Sequence, residues 1–176
     1  MKTRSKKGDV WVSAILYFGL GMVILTIMLT LGTPVINRLR DKNIVLQTKE
    51  LMHSLDDNIR EVAKEGPGSQ RPVTVEVRKG EFHIDPQSDK IYWNYTGSIL
   101  LAELGQSIKE GNVNQTVVKA SQKGMYQTEL ELSYAGLLDL VFDKPSNTVT
   151  GRVDLVVRNR GIADDGRRIK IEIIER

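Results

Sequence analysis

The chain has 176 residues, 40% of them hydrophobic and 27% charged, with a formal net charge of +3. It has no cysteine, which excludes disulfides, thiolate metal sites and cysteine nucleophiles, and its two histidines, His53 and His83, stand too far apart in sequence to suggest a shared metal. The first eight residues carry four basic side chains and no acid, while residues 67–176 balance to about zero, so the basic pI near 9.1 gives no sign of a nucleic-acid-binding surface and no nucleic-acid partner is expected.

From Val10 to Ile36 there is no Asp, Glu, Lys, Arg or His. A run of about 20 apolar residues suffices to cross a hydrocarbon core, so residues 9–33 are expected to form a transmembrane helix. A secretory signal would have a shorter apolar core, and Gly32-Thr33-Pro34 is a poor match to its cleavage site. A plain signal anchor explains both the length and the flanks. Its orientation is nearly a tie by basic-residue counting, because Arg38, Arg40, Lys42 and Lys49 follow the span as Lys2, Arg4, Lys6 and Lys7 precede it. Gly19, Gly21 and Gly32, with Ser13, Thr26 and Thr30, would let helices approach closely in lipid.

Thr33-Pro34 interrupts the apolar run. Proline removes one backbone donor and crowds the carbonyl four residues back, so a break or kink is expected at Pro34, which could also open a second helix capped by Thr33. Residues 34–66 then form an amphipathic stalk. Ile44, Thr48, Leu51, Leu55, Ile59 and Val62 recur at steps of three and four, giving one narrow apolar face, while Asp56 and Asp57 are expected on the solvated side. Gly66 suits the left-handed position after a helix and Pro67 cannot continue one, so the helix is expected to end there.

Beyond Pro72 the period changes from 3.6 to 2. Val73, Val75 and Val77 alternate with polar residues, and Lys79-Gly80 is expected to turn the chain into a second strand at Phe82–Ile84. Strands are further expected at 91–95, 111–120, 125–134, 137–142, 148–159 and 168–174, with a loop at 160–166 and an apolar patch of undecided type at 98–104. The fold class is α+β: a long N-terminal helix, transmembrane then amphipathic, followed by an antiparallel β-sheet or small β-sandwich over residues 67–176.

No catalytic constellation is visible, and neither enzyme activity nor a cofactor is expected. Asp164-Asp165 in a Gly-flanked loop is read as an exposed turn rather than a cation site, Ser69 has no adjacent base, and His83 is read as an ordinary pair-forming residue of a strand. Asn94-Tyr95-Thr96 and Asn114-Gln115-Thr116 make Asn94 and Asn114 candidate N-glycosylation acceptors, in keeping with an extracytoplasmic domain. The aromatic strand 91–95 is expected to place alternate residues in the core, with a glycan- or partner-binding surface as the rival reading.

Lys6-Lys7-Gly8 followed by Asp9-Val10-Trp11 resembles the leader of archaeal type IV pilin-like proteins, and the succession of apolar helix, amphipathic helix and β domain is similar to the layout of type IV pilins and archaellins. The Glu65-Gly66-Pro67-Gly68-Ser69 junction also resembles one found in archaeal pilin-like membrane proteins of otherwise unassigned role. The resemblance implies cleavage of the 1–8 leader between Gly8 and Asp9 by a prepilin-type peptidase, on the cytoplasmic side. It also implies retention of the helix, an extracytoplasmic β domain, and assembly by an ATPase complex into a filament through self-association of the N-terminal helices. One position departs from the pattern: many members carry Glu five residues after the cut, where this chain has Ser13. The alternative is a monomeric, single-pass anchored binding module whose only partner at the helix is membrane lipid.

Overall fold

The computed structural model describes residues 6–144 and 146–176, with the backbone alone for residues 6–10. The chain divides into two compact units, residues 1–39 and residues 40–176. One helix, α1 (Lys6–Glu65), is followed by eight strands: β1 (Gln70–Asp85), β2 (Lys90–Gly97), β3 (Ser107–Glu110), β4 (Val113–Lys119), β5 (Tyr126–Ser133), β6 (Leu138–Phe142), β7 (Thr148–Ile162) and β8 (Ile169–Glu175).

In the first unit α1 is unbroken through Pro34, so the expected break there is corrected. A single proline removes one donor, and the turns on either side keep their own hydrogen bonds. The Thr33 hydroxyl, expected as a cap, instead donates to the Leu29 carbonyl at 2.7 Å. The break at Gly66-Pro67 does occur. Helix α1 stops at Glu65, Gly66 takes φ of 97°, and the Ser69 hydroxyl donates to the carbonyls of Val62 and Gly66.

All eight strands lie in one sheet of order β3-β4-β5-β2-β1-β7-β8-β6, so of the two architectures expected it is the single sheet that forms. Every neighbouring pair is antiparallel except β6 and β8, which are parallel. Lys79-Gly80 does not end a strand: β1 runs on through it, with a register irregularity between Val77 and Phe82 where it passes along β7. The patch at 98–104 forms no strand. A short edge strand, β3, follows it instead, paired to β4 across a two-residue turn at Gly111-Asn112.

The core lies between the 40–65 segment of α1 and one face of the sheet. Val45, Met52, Leu55, Ile59 and Val62 of the helix pack with Val75, Phe82, Ile84, Ile91, Trp93, Leu130, Leu132, Leu155, Val157, Ile171 and Ile173, all essentially without solvent exposure. Burying each such side chain stabilises the fold by about 1.5–3 kcal/mol. The helical stripe is thus centred on Val45 and Met52, with Ile44 and Leu51 only partly buried at its border. The opposite face of the sheet is polar, carrying Glu76, Tyr92, Asn94, Asn114, Glu129, Glu131, Arg158 and Glu172 between the buried positions.

Candidate functional site: an uncovered apolar helix and a latched sheet domain

Between Trp11 and Ile36 almost every side chain of α1 is exposed, including Leu16, Phe18, Leu20, Val23, Leu25, Ile27, Leu29 and Leu31, each more than half so. Scattered exposed apolar residues are ordinary, but a contiguous charge-free surface of this length is a site for lipid or for other protein. This segment is a candidate membrane span by length and composition. Its polar side chains suit that setting. Thr26 and Thr30 donate their hydroxyls to the carbonyls of Met22 and Thr26 at 2.8 and 2.7 Å, as Thr33 does to Leu29, so these donors need no water. At the expected cleavage site, Gly8–Asp9, only the backbone is described, and the Asp9 side chain lies outside the described structure.

In the second unit, buried polar groups tie the helix to the sheet. Asp41 is 8% exposed; its carboxylate accepts hydrogen bonds from the Tyr95 hydroxyl at 2.6 Å and from the Ser98 N–H and hydroxyl, both at 2.8 Å. Burial alone would push this carboxyl up. The hydrogen bonds from Tyr95 and Ser98, with Lys79 nearby, outweigh burial and hold it below the usual aspartate range. Burial and the facing carboxylate push the Tyr95 hydroxyl well above the ordinary tyrosine value.

Asp56, expected on the solvated side, is only 3% exposed, a correction with a clear cause. It accepts from the Tyr134 hydroxyl at 2.9 Å, from Asn112 at 2.5 Å and from Arg60 one turn on, so all its oxygens are used inside the fold. Tyr134 is held protonated chiefly by burial, then by the Asp56 charge. Asp57 remains exposed as expected. A third tie is Asn159 of β7, whose side-chain amide donates to the Val62 and Ala63 carbonyls that the end of α1 leaves open.

A similar buried carboxylate blunts the sheet edge. Asp89, in the left-handed region at φ 52°, accepts the Leu140 N–H of β6 at 2.9 Å and pairs with Arg168. The other edge, β3, is four residues long and carries Lys109.

The remaining sequence candidates have structural partners. Asp165 accepts from the backbone and side chain of Arg168, and Asp164 pairs with Lys170 at 3.1 Å. His83 meets the Thr148 hydroxyl at 3.1 Å and stacks on Tyr92 with ring centroids 4.8 Å apart. Trp93 and Tyr95 turn into the core and stack on each other, as the alternation implies. Asn94 and Asn114 share the polar face, where Asn94 borders a depression of about 480 Å³ with Lys79, Glu81, Thr96 and Gln127. The Asn94 Oδ1 is buried without a hydrogen-bond partner among the described residues.

Sequence reasoning passed over Asp41, Asp89 and Asn159 and put Asp56 on the solvated side, although Asp41 and Asp56 both carried a signal. Asp41, Val45, Thr48, Met52, Asp56 and Ile59 follow one another at steps of three and four, so both acids stand on the apolar stripe. Compared with known protein families, curated proteins and solved structures, the chain matches none.

Proposed function

We propose that this chain is a membrane-anchored, pilin-like structural subunit that displays its sheet domain outside the membrane and associates with further copies through the N-terminal helix. The observation that carries the reading is the charge-free, uncovered surface of α1 from Trp11 to Ile36, in the same helix that goes on into the segment covering the sheet. Apolar burial is non-directional, so such a surface is satisfied equally by lipid before assembly and by neighbouring helices after it. The basic leader with Gly8 before Asp9 supports processing by a prepilin-type peptidase, and the buried latches of Asp41, Asp56 and Asn159 hold the sheet to the 40–65 segment of α1.

The test is the mass of the mature protein extracted from membranes, followed by shearing of intact cells. A chain beginning at Asp9 and recovered in sheared filaments is the expected result. A chain retaining its leader and staying in the membrane fraction would refute the filament subunit and leave the lone anchored module. Ser13, in place of the Glu that many pilin-like proteins use in assembly, is the observation that favours that second reading.

A further inference from the structure

Charge is placed with one sign where α1 leaves the apolar run. Between Val10 and Lys49 the basic residues are Arg38, Arg40, Lys42 and Lys49, and the single acid is Asp41. In the second unit Arg40 and Lys42 are exposed, and neither forms an ion pair among the described residues. Their intervening acid is turned away. Asp41 is buried, with its carboxylate held by Tyr95 and Ser98, and it forms no ion pair with the two cations that flank it. Lys79 is close enough to Asp41 to bias its ionisation and is itself exposed. Lys49 is engaged by Glu110 at 2.7 Å, which leaves Arg40 and Lys42 as the cations of residues 40–49 without an ion pair among the described residues. The sequence adds Arg38 two residues earlier, directly after the charge-free run closes at Ile36.

We infer that this collar of Arg38, Arg40 and Lys42 binds anionic phospholipid headgroups, so that the helix selects acidic lipid around it rather than resting in any bilayer. The inference rests on the anchored reading above and extends it by naming a lipid class. Its physics is direct. A residue within two to six positions of the end of a span lies at headgroup depth at 1.5 Å per residue. Arginine is suited to phosphate by its planar fork of donors, and the buried Asp41 prevents the internal pairing that would otherwise quench the attraction.

The experiment uses the full-length chain in vesicles of phosphatidylcholine and phosphatidylglycerol, with one lipid at a time brominated to quench tryptophan. Trp11→Phe with Leu39→Trp puts a reporter at the collar, and Trp11→Phe alone gives the Trp93 signal to be subtracted. The expected result is a relative binding constant for phosphatidylglycerol over phosphatidylcholine of roughly threefold or more. It should fall towards one in the added variant Arg38→Gln/Arg40→Gln/Lys42→Gln, and for the unaltered collar in concentrated salt. A constant near one at low salt, or one that the triple change leaves in place, overturns the inference while the anchor stands. Failure of the chain to float with vesicles of either lipid overturns the anchored reading and this inference with it.

Discussion

The Tyr95 hydroxyl of β2 donates a 2.6 Å hydrogen bond to the Asp41 carboxylate of α1, joining positions 54 residues apart at the point where the helix first meets the sheet. Replacing Asp41 by Asn leaves the buried Tyr95 hydroxyl and the half-buried Ser98 donors with a weaker acceptor. It is expected to cost about 1.5–3 kcal/mol in denaturant unfolding of the detergent-solubilised protein, followed by Trp93 fluorescence. The Asp41 pKa is lowered in the folded state, so its stabilising contribution is complete above the ordinary value near 3.8 and is lost as pH falls through the folded value. The gap between the native chain and Asp41→Asn should therefore be constant at neutral pH and narrow below about pH 4. A gap that widens on acidification would contradict this.

Asp56 and Tyr134 supply the second latch, at 2.9 Å across 78 residues. Truncating Asp56 to Ala leaves the Tyr134 hydroxyl, Asn112 and half-buried Arg60 without their acceptor, and about 3 kcal/mol of stability is expected to go with it. Tyr134→Phe, which removes one donor and leaves the carboxylate two others, should cost about 1 kcal/mol. Since both changes dismantle the same hydrogen bond, the double variant should lose less than the two single losses added, with a coupling above about 0.5 kcal/mol in a double-mutant cycle. Strict additivity would show that the bond contributes nothing.

These latches also mark where the sequence stops being legible. The apolar run, the helix end at Gly66 and the alternation of Val73, Val75, Val77 or Ile169, Ile171, Ile173 are set by local periodicity and turn chemistry, and the structure follows them. The sites that pin helix to sheet are set by partners 54 to 97 residues away, which no local pattern encodes. The parallel pairing of β6 with β8 is of the same kind: Leu138–Phe142 has the composition of a strand, but its neighbour is decided by the way β7 and β8 fold back. At Lys79-Gly80 the local signal misleads. Gly80 has the positive φ of a turn, at 82°, yet it serves an irregularity inside β1 that lets the chain pass over Trp93, whose indole N–H donates to the Lys79 carbonyl at 2.8 Å.

Gly80 gives a steric prediction with an internal control. A Cβ there would stand 2.5 Å from the Asn94 carbonyl oxygen and 2.6 Å from the Trp93 Nε1, so alanine meets backbone as well as an unfavourable φ. Gly151 has a similar φ of 74° with open space around the added carbon. Gly151→Ala is expected to cost about 1–2 kcal/mol for the left-handed backbone alone. Gly80→Ala should cost at least about 2 kcal/mol more, because the strand must shift or the indole hydrogen bond must break. Equal losses at the two positions in thermal or denaturant unfolding would show that contact with Asn94 and Trp93 is without consequence.

The membrane reading makes a quantitative demand on α1. Val10–Ile36 holds fourteen Leu, Ile, Val and Phe residues, worth roughly 4–8 kcal/mol of insertion free energy at about 0.3–0.6 each, while one Lys at the centre of a span costs about 2.5–3.5 kcal/mol. Ile24→Lys should therefore still be retained in carbonate-washed membranes. Leu20→Lys/Ile24→Lys/Met28→Lys places three ammonium groups along one face of the helix, at a combined cost of roughly 8–10 kcal/mol, and should release the protein or prevent its insertion. Leu46→Lys, on the exposed side of the segment that covers the sheet, adds a charge without entering the span and should leave membrane retention unchanged. If the triple variant pelleted with membranes as fully as the native chain, the uncovered surface of α1 would have to be satisfied by protein alone.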